Sequence, residues 1–142
     1  MKKRIVFIAV PVGFAALTLA LLLGGGAPTK SAPGLPDAGL TIGWLVPMLT
    51  LTNYFIEFAL VGFSLAASLF FVDEDGALGD AATRFIRRIP SITLVWILVN
   101  ALLLIVKAAY EIGIPFRQSF NFATIYSYSI QTTQGNAILW QL

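Results

Sequence analysis

One carboxylate stands where the surrounding residues are apolar. Glu57 lies in the middle of a long uncharged stretch, and an ionisable side chain at bilayer depth costs roughly 2.5–3.5 kcal/mol on insertion scales. Such a group needs a partner or a task. Placed at about 100° per residue, Thr50, Asn53, Glu57, Ser64 and Ser68 fall within about 60° of one another. A second apolar stretch carries Thr93, Asn100, Lys107 and Glu111 at helical spacing. Two polar stripes on greasy cylinders are best satisfied by facing each other. A hairpin in which Glu57 and Lys107 reach similar depth predicts an ion pair, direct or water-bridged, with Asn53 and Asn100 taking the remaining hydrogen bonds. The seam is therefore Asn53, Glu57, Ser64, Asn100, Lys107 and Glu111. Packing alone explains most such seams, each bond contributing about 0.6 kcal/mol on average. An ion or proton pathway through Glu57 is the sharper alternative.

The elements that position this seam follow from composition. Of the 142 residues, 58% are hydrophobic and 11% charged, against about 25% charged in soluble domains. The mean hydropathy is +0.85. A chain with so little polar surface belongs in a bilayer. The predicted fold is all-α, an integral membrane helical bundle forming a single membrane domain over 1–142. Its spans are placed at about 5–23, 42–72 and 91–110, with the start of a fourth at 135–142. The positively charged Lys2, Lys3 and Arg4 would share the cytoplasm with Arg84, Arg87 and Arg88, leaving Lys30, Arg117 and Lys107 towards the other side. The amino terminus is thus expected inside, in a multi-pass plasma-membrane protein. A cleaved signal peptide fits the first span less well, because its apolar run is long and Gly24-Gly25-Gly26-Ala27-Pro28 is a poor cleavage site.

Between the spans, residues 24–39 are punctuated by Gly and Pro and read as an extended loop. A short amphipathic turn is expected around 81–89, with Phe85 and Ile89 inward. Phe116, Phe120, Phe122, Tyr126 and Tyr128 read as an interfacial aromatic belt, together with Trp44, Tyr110 and Trp140. Ala137 to Leu142 reads as the opening turns of a helix, so the chain is expected to be the front part of a longer protein.

The chain has no histidine and no cysteine. That removes disulfides, Ser-His-Asp and cysteine catalysis, haem held by His or Cys, and the usual zinc ligands. No nucleophile–base pair or metal constellation is visible, so no enzyme is expected and no cofactor is assigned to this chain. Charges confined to short flanks argue against a nucleic-acid partner. The partners expected are the lipid bilayer and other membrane helices, supplied by a carboxy-terminal part or by partner subunits.

The order of features carries a resemblance. A basic first helix leads to Ala32-Pro33-Gly34-Leu35-Pro36-Asp37-Ala38-Gly39. An apolar helix, an arginine-containing loop and a third span bearing Lys107-Ala108-Ala109-Tyr110 follow. Then Ile130-Gln131-Thr132-Thr133-Gln134-Gly135-Asn136-Ala137 enters another helix. This resembles the amino-terminal region of actinobacterial membrane proteins of the copper resistance protein D family, commonly joined to a cytochrome c oxidase assembly (CtaG-like) part. The resemblance implies copper transport, copper resistance or oxidase assembly, with copper handled by the full-length protein. Copper needs soft or imidazole ligands, and Met48 is the single methionine beyond the start. No metal ligand is therefore carried over to this chain. A small accessory subunit of a membrane complex, and a fragment of an ion- or proton-coupled carrier using Glu57, are the rival readings.

Overall fold

The computed structural model describes residues 2–32, 34–70, 83, 84, 86–118 and 120–141, the side chains of 2–7 and 67–70 excepted. Its described residues form helices joined by turns and irregular loops, with no strand among them. These are α1 (Lys2–Leu23), α2 (Leu40–Phe70), α3 (Ile89–Ile112), a short 3-10 turn (Phe116–Gln118), α4 (Phe122–Gln131) and α5 (Thr133–Gln141). Two of them are long and apolar enough to cross a membrane, Leu40–Ala66 within α2 and Ile89–Ile112 in α3. The described apolar part of α1, Ile8–Leu23, is shorter.

The long helices solve their hydroxyl problem locally. Thr18, Thr50, Thr52 and Ser64 each donate to the carbonyl four residues back, at 2.8–2.9 Å. Each hydroxyl is thereby satisfied without a partner helix, which makes it tolerable in hydrocarbon. Pro47 sits inside α2, so the Gly43 carbonyl four residues earlier loses its helical donor. At the far end, α3 closes on Gly113 in the left-handed conformation (φ 75°), whose N–H bonds the Ala109 carbonyl at 3.0 Å.

Helices α2 and α3 pack antiparallel as a hairpin. Ile42, Val106 and Ala109 are buried together, with Leu45, Val46, Leu49 and Leu102 packed against them. Helix α1 meets α2 through Phe14 and Phe55, whose rings lie 6.3 Å apart. On the other flank of α3, Leu104, Ala108, Tyr128 and Ile138 form a second core that seats α4 and α5.

Two stretches differ from the sequence expectation. The described residues of 24–39 do lack helix, yet they fold back over the bundle end instead of extending away from it. Asp37 ties the turn, its two carboxylate oxygens accepting from Gly39 N–H (2.8 Å) and Ser31 N–H (3.3 Å). Pro36 then lies against Gly113, and Pro28 against Gly43. The polar–aromatic stretch holds a helix, α4, that was not foreseen as one. Asn121 caps it by accepting from Ala123 N–H at 3.0 Å. Helix α5 begins at Thr133, two residues before the expected 135, and packs along α3 and α4 with Gly135 and Ile138 buried. The stretch expected at 42–72 is the helix Leu40–Phe70, and that at 91–110 the helix Ile89–Ile112. Of the amphipathic turn expected at 81–89, residues 81, 82 and Phe85 lie outside the described residues; residues 83, 84 and 86 are helical and exposed, and Ile89 is half-buried.

Candidate functional site: an asparagine-centred seam and its cleft

Asn53 is the central residue of Leu40–Ala66, and Asn100 is central in Ile89–Ile112. They meet. The Asn100 side-chain amide donates to Asn53 Oδ1 at 2.9 Å, and the same Nδ2 reaches the Trp96 carbonyl at 3.0 Å. Asn53 in turn donates its amide to Glu57 Oε1 at 2.7 Å. Asn100 is fully buried and Asn53 nearly so, while Glu57 is half-buried. A chain of three side chains therefore runs Asn100, Asn53, Glu57, with the carboxylate as terminal acceptor. Hydrogen bonds that end on an ionised group are the stronger kind.

The predicted Glu57–Lys107 ion pair is not formed. The Asn53–Asn100 bond sets the helix register, and it disagrees with the equal-depth assumption behind that pairing. Glu57 lies four residues to one side of this bond and Lys107 seven to the other. At about 1.5 Å rise per residue, roughly 16 Å of helix separates the two α-carbons along the bundle. The buried set Ile42, Val106 and Ala109 follows the register of the asparagines. Counting equal distances from the loop failed because the two helices do not leave that loop at equal depth.

Both charges nevertheless line one cleft of about 220 Å³, walled by Thr50, Asn53, Tyr54 and Leu103 and closed from α5 by Gln134, Ile138 and Gln141. Helical side chains lean towards their own amino terminus. In an antiparallel pair that tilts Glu57 and Lys107 towards each other across the cleft. The two glutamines from α5 are members of this site that sequence reasoning missed. Nothing in the local pattern of Gln134 or Gln141 singles them out; only the back-packing of α5 brings them there.

The remaining seam residues stand apart. Ser64 is exposed and spends its hydroxyl on the Leu60 carbonyl. Thr93 lines a separate groove with Leu60, Val61, Leu65 and Trp96. The side chain of Ser68 lies outside the described residues. Glu111, exposed at the end of α3, accepts the Tyr128 hydroxyl at 3.3 Å. Burial first, and then the nearby Glu111 charge, push the Tyr128 phenol from 10.0 up to about 12.

Comparison with family models, with curated proteins and with solved structures finds no match. Two buried polar atoms in the seam have no protein partner, Asn100 Oδ1 and Trp96 Nε1. Among the described residues no group of three His, Cys, Asp or Glu side chains comes together as a metal site. The seam can hold helices in register, and its cleft can present one carboxylate and one ammonium to whatever enters.

Two measurements check this arrangement. In a double-mutant cycle, Asn53→Leu and Asn100→Leu are expected to couple by about 0.6–1.7 kcal/mol, the range of interhelical bonds in membranes. The cycle of Glu57→Gln with Lys107→Leu is expected to be additive, and strong coupling there would restore the ion pair. Separately, Tyr128→Phe should delete the tyrosinate absorbance component that titrates near pH 12. The sign follows from the raised folded value. Stability from the protonated phenol is whole below pH about 10 and is lost as pH climbs through about 12. Alkaline denaturation should therefore begin at higher pH in the Tyr128→Phe protein. An unchanged onset would mean that Tyr128 does not contribute.

Proposed function

We propose that this chain is a structural membrane segment whose hairpin, locked at mid-depth by Asn53 and Asn100, supports a pathway completed by other helices. The single observation that supports it is the Asn100–Asn53–Glu57 chain, which uses its polar groups on one another at the centre of two apolar helices. In this reading α1 is a third span, the amino terminus is cytoplasmic beside Arg84, Arg87 and Arg88, and the protein is multi-pass in the plasma membrane. The setting proposed is copper transport, copper resistance or cytochrome oxidase assembly, resting on the resemblance given above. Copper would be bound by residues outside this chain, since His and Cys are lacking here.

The test uses cells expressing the whole protein. Asn100→Leu is expected to lower the amount of protein in the membrane, with copper content or oxidase assembly falling in proportion. Glu57→Gln is expected to leave both unchanged at normal protein level. Copper content indifferent to deletion of the whole gene, with normal oxidase assembly, would remove the copper setting.

A second reading has an observation of its own. Glu57 is half-buried at the mouth of a cleft that also holds Lys107, as a titrating group of an ion- or proton-coupled carrier would be. Loss of proton flux into vesicles on Glu57→Gln, with the protein folded, would favour it over the structural one.

A further inference from the structure

Below the asparagine pair, at the end of the hairpin that carries Arg84, Arg87 and Arg88, α2 and α3 part and leave a second groove. It measures about 480 Å³ and is lined by Leu60, Val61, Leu65, Ile89, Thr93 and Trp96, with Ser64 at its edge. Its walls are apolar, and Ser64 is already bonded to its own helix.

The mouth of this groove has a different chemistry. Arg84, Arg87 and Arg88 are all exposed, and the last two form the turn from which α3 starts. That start has Arg88 as its cap residue with no side-chain cap hydrogen bond, and Pro follows in the first turn. The positive end of the helix dipole therefore lies beside Arg87 and Arg88, with Arg84 one helical turn before. Ile89, the first residue of α3, also belongs to the groove wall. Anion-attracting and apolar surfaces thus meet at one residue. An inner-face basic cluster above an interhelical groove is suited to an anionic lipid.

We propose that this groove seats one acyl chain of an anionic phospholipid, with its phosphate held by Arg84, Arg87 and Arg88 at the start of α3. The inference rests on α2 and α3 spanning the bilayer, and it assigns the arginines a task beyond setting orientation. Charge complementarity selects this occupant. A neutral lipid would fill the groove but make no use of the three exposed arginines. A second copy of the chain would bring the same positive charge against itself.

Trp96 in the groove wall is a built-in reporter. The chain has three tryptophans, so Trp44→Phe with Trp140→Phe leaves Trp96 as the sole indole. The 142-residue chain carrying these changes is reconstituted in phosphatidylcholine vesicles doped with a low, equal fraction of either brominated phosphatidylglycerol or brominated phosphatidylcholine. Fluorescence quenching is expected to be several-fold stronger with the brominated phosphatidylglycerol. Replacing Arg84, Arg87 and Arg88 together by Gln should erase that preference. Thr93→Phe, which fills the groove and leaves the arginines intact, should reduce it.

Equal quenching by both lipids overturns the site. So does a preference that survives loss of the arginines. A preference undiminished by Thr93→Phe overturns it as well, since the arginines would then only enrich lipid at the surface. Failure of the spanning reading looks different. In that case Trp96 escapes quenching even in vesicles made wholly of brominated phosphatidylcholine, whereas strong but unselective quenching keeps the spans and removes only the lipid site.

Discussion

Gly135→Ala is expected to destabilise the α4–α5 corner by about 2–3 kcal/mol, within the range for overpacking a tight contact. A β-carbon at Gly135 would run into the Tyr128 carbonyl, and would stand 2.8 Å from Thr132 Oγ1 and 2.9 Å from the Ser129 α-carbon. Two of these three are backbone atoms and cannot rotate away. The third is committed. Thr132 Oγ1 accepts from Gly135 N–H at 2.9 Å while its own hydroxyl donates to the Tyr128 carbonyl at 2.9 Å. One side chain therefore ends α4 and starts α5, and the glycine lets the two helices touch at that point. Because α5 closes the cleft that holds Glu57 and Lys107, the damage should spread to the site. A thiol introduced as Ile138→Cys, buried in the parent, is expected to react readily with a membrane-impermeant reagent only when Gly135→Ala is also present. Unchanged labelling together with an unchanged melting temperature would show that α5 is not held by this contact.

The corner also illustrates what a single sequence makes legible. The run Thr132-Thr133-Gln134-Gly135 was read as leading into a helix, and Thr132 accepts from the N–H three residues on, as a capping threonine does. The two helices long and apolar enough to cross a membrane were readable because hydropathy and length act residue by residue, and tertiary packing barely alters them. The asparagines were placed on facing stripes by periodicity alone, and their bond follows. What could not be read is anything set by the relative slide of two helices. The Glu57–Lys107 pairing needed the depth of each residue, and that depth is fixed by Ile42, Val46, Val106 and Ala109 packing at the opposite end from the loop. Helix α4 was hidden because its aromatics mark two faces: at about 100° per residue Phe122 and Tyr126 lie about 40° apart, and Tyr128 about 120° from Phe122 on the other side. Only Tyr128 is buried, while Phe122 and Tyr126 stack on each other outside at 6.2 Å. Aromatic rings on two faces do not reveal which of them is inward.

Gly113→Ala is expected to cost about 2–4 kcal/mol, for two separable reasons. The first is conformational: φ is 75° where α3 ends, and an L side chain in the left-handed region costs roughly 1–2 kcal/mol. The second is contact, because a β-carbon there would lie 2.5 Å from Pro36 Cβ and 3.0 Å from the Pro36 carbonyl carbon. The Gly113→Asn substitution separates them, since asparagine tolerates this backbone conformation better than alanine yet brings a larger side chain against Pro36. If the contact dominates, Asn should be at least as damaging as Ala. If conformation dominates, Asn should recover part of the loss. Either way the loop over residues 24–39 is the part that must yield, because Pro36 is followed directly by Asp37, whose carboxylate ties Ser31 and Gly39. That loop, with Gly43, Pro47, Tyr110 and Glu111, walls a cavity of about 710 Å³ above the seam. Faster hydrogen exchange at Ser31 and Gly39 N–H in Gly113→Ala, with the Asn53–Asn100 region still protected, is the expected pattern. Uniform loss of protection across α2 and α3 would instead mean that the loop and the hairpin unfold as one unit, and that the end of α3 holds the register as firmly as the asparagines do.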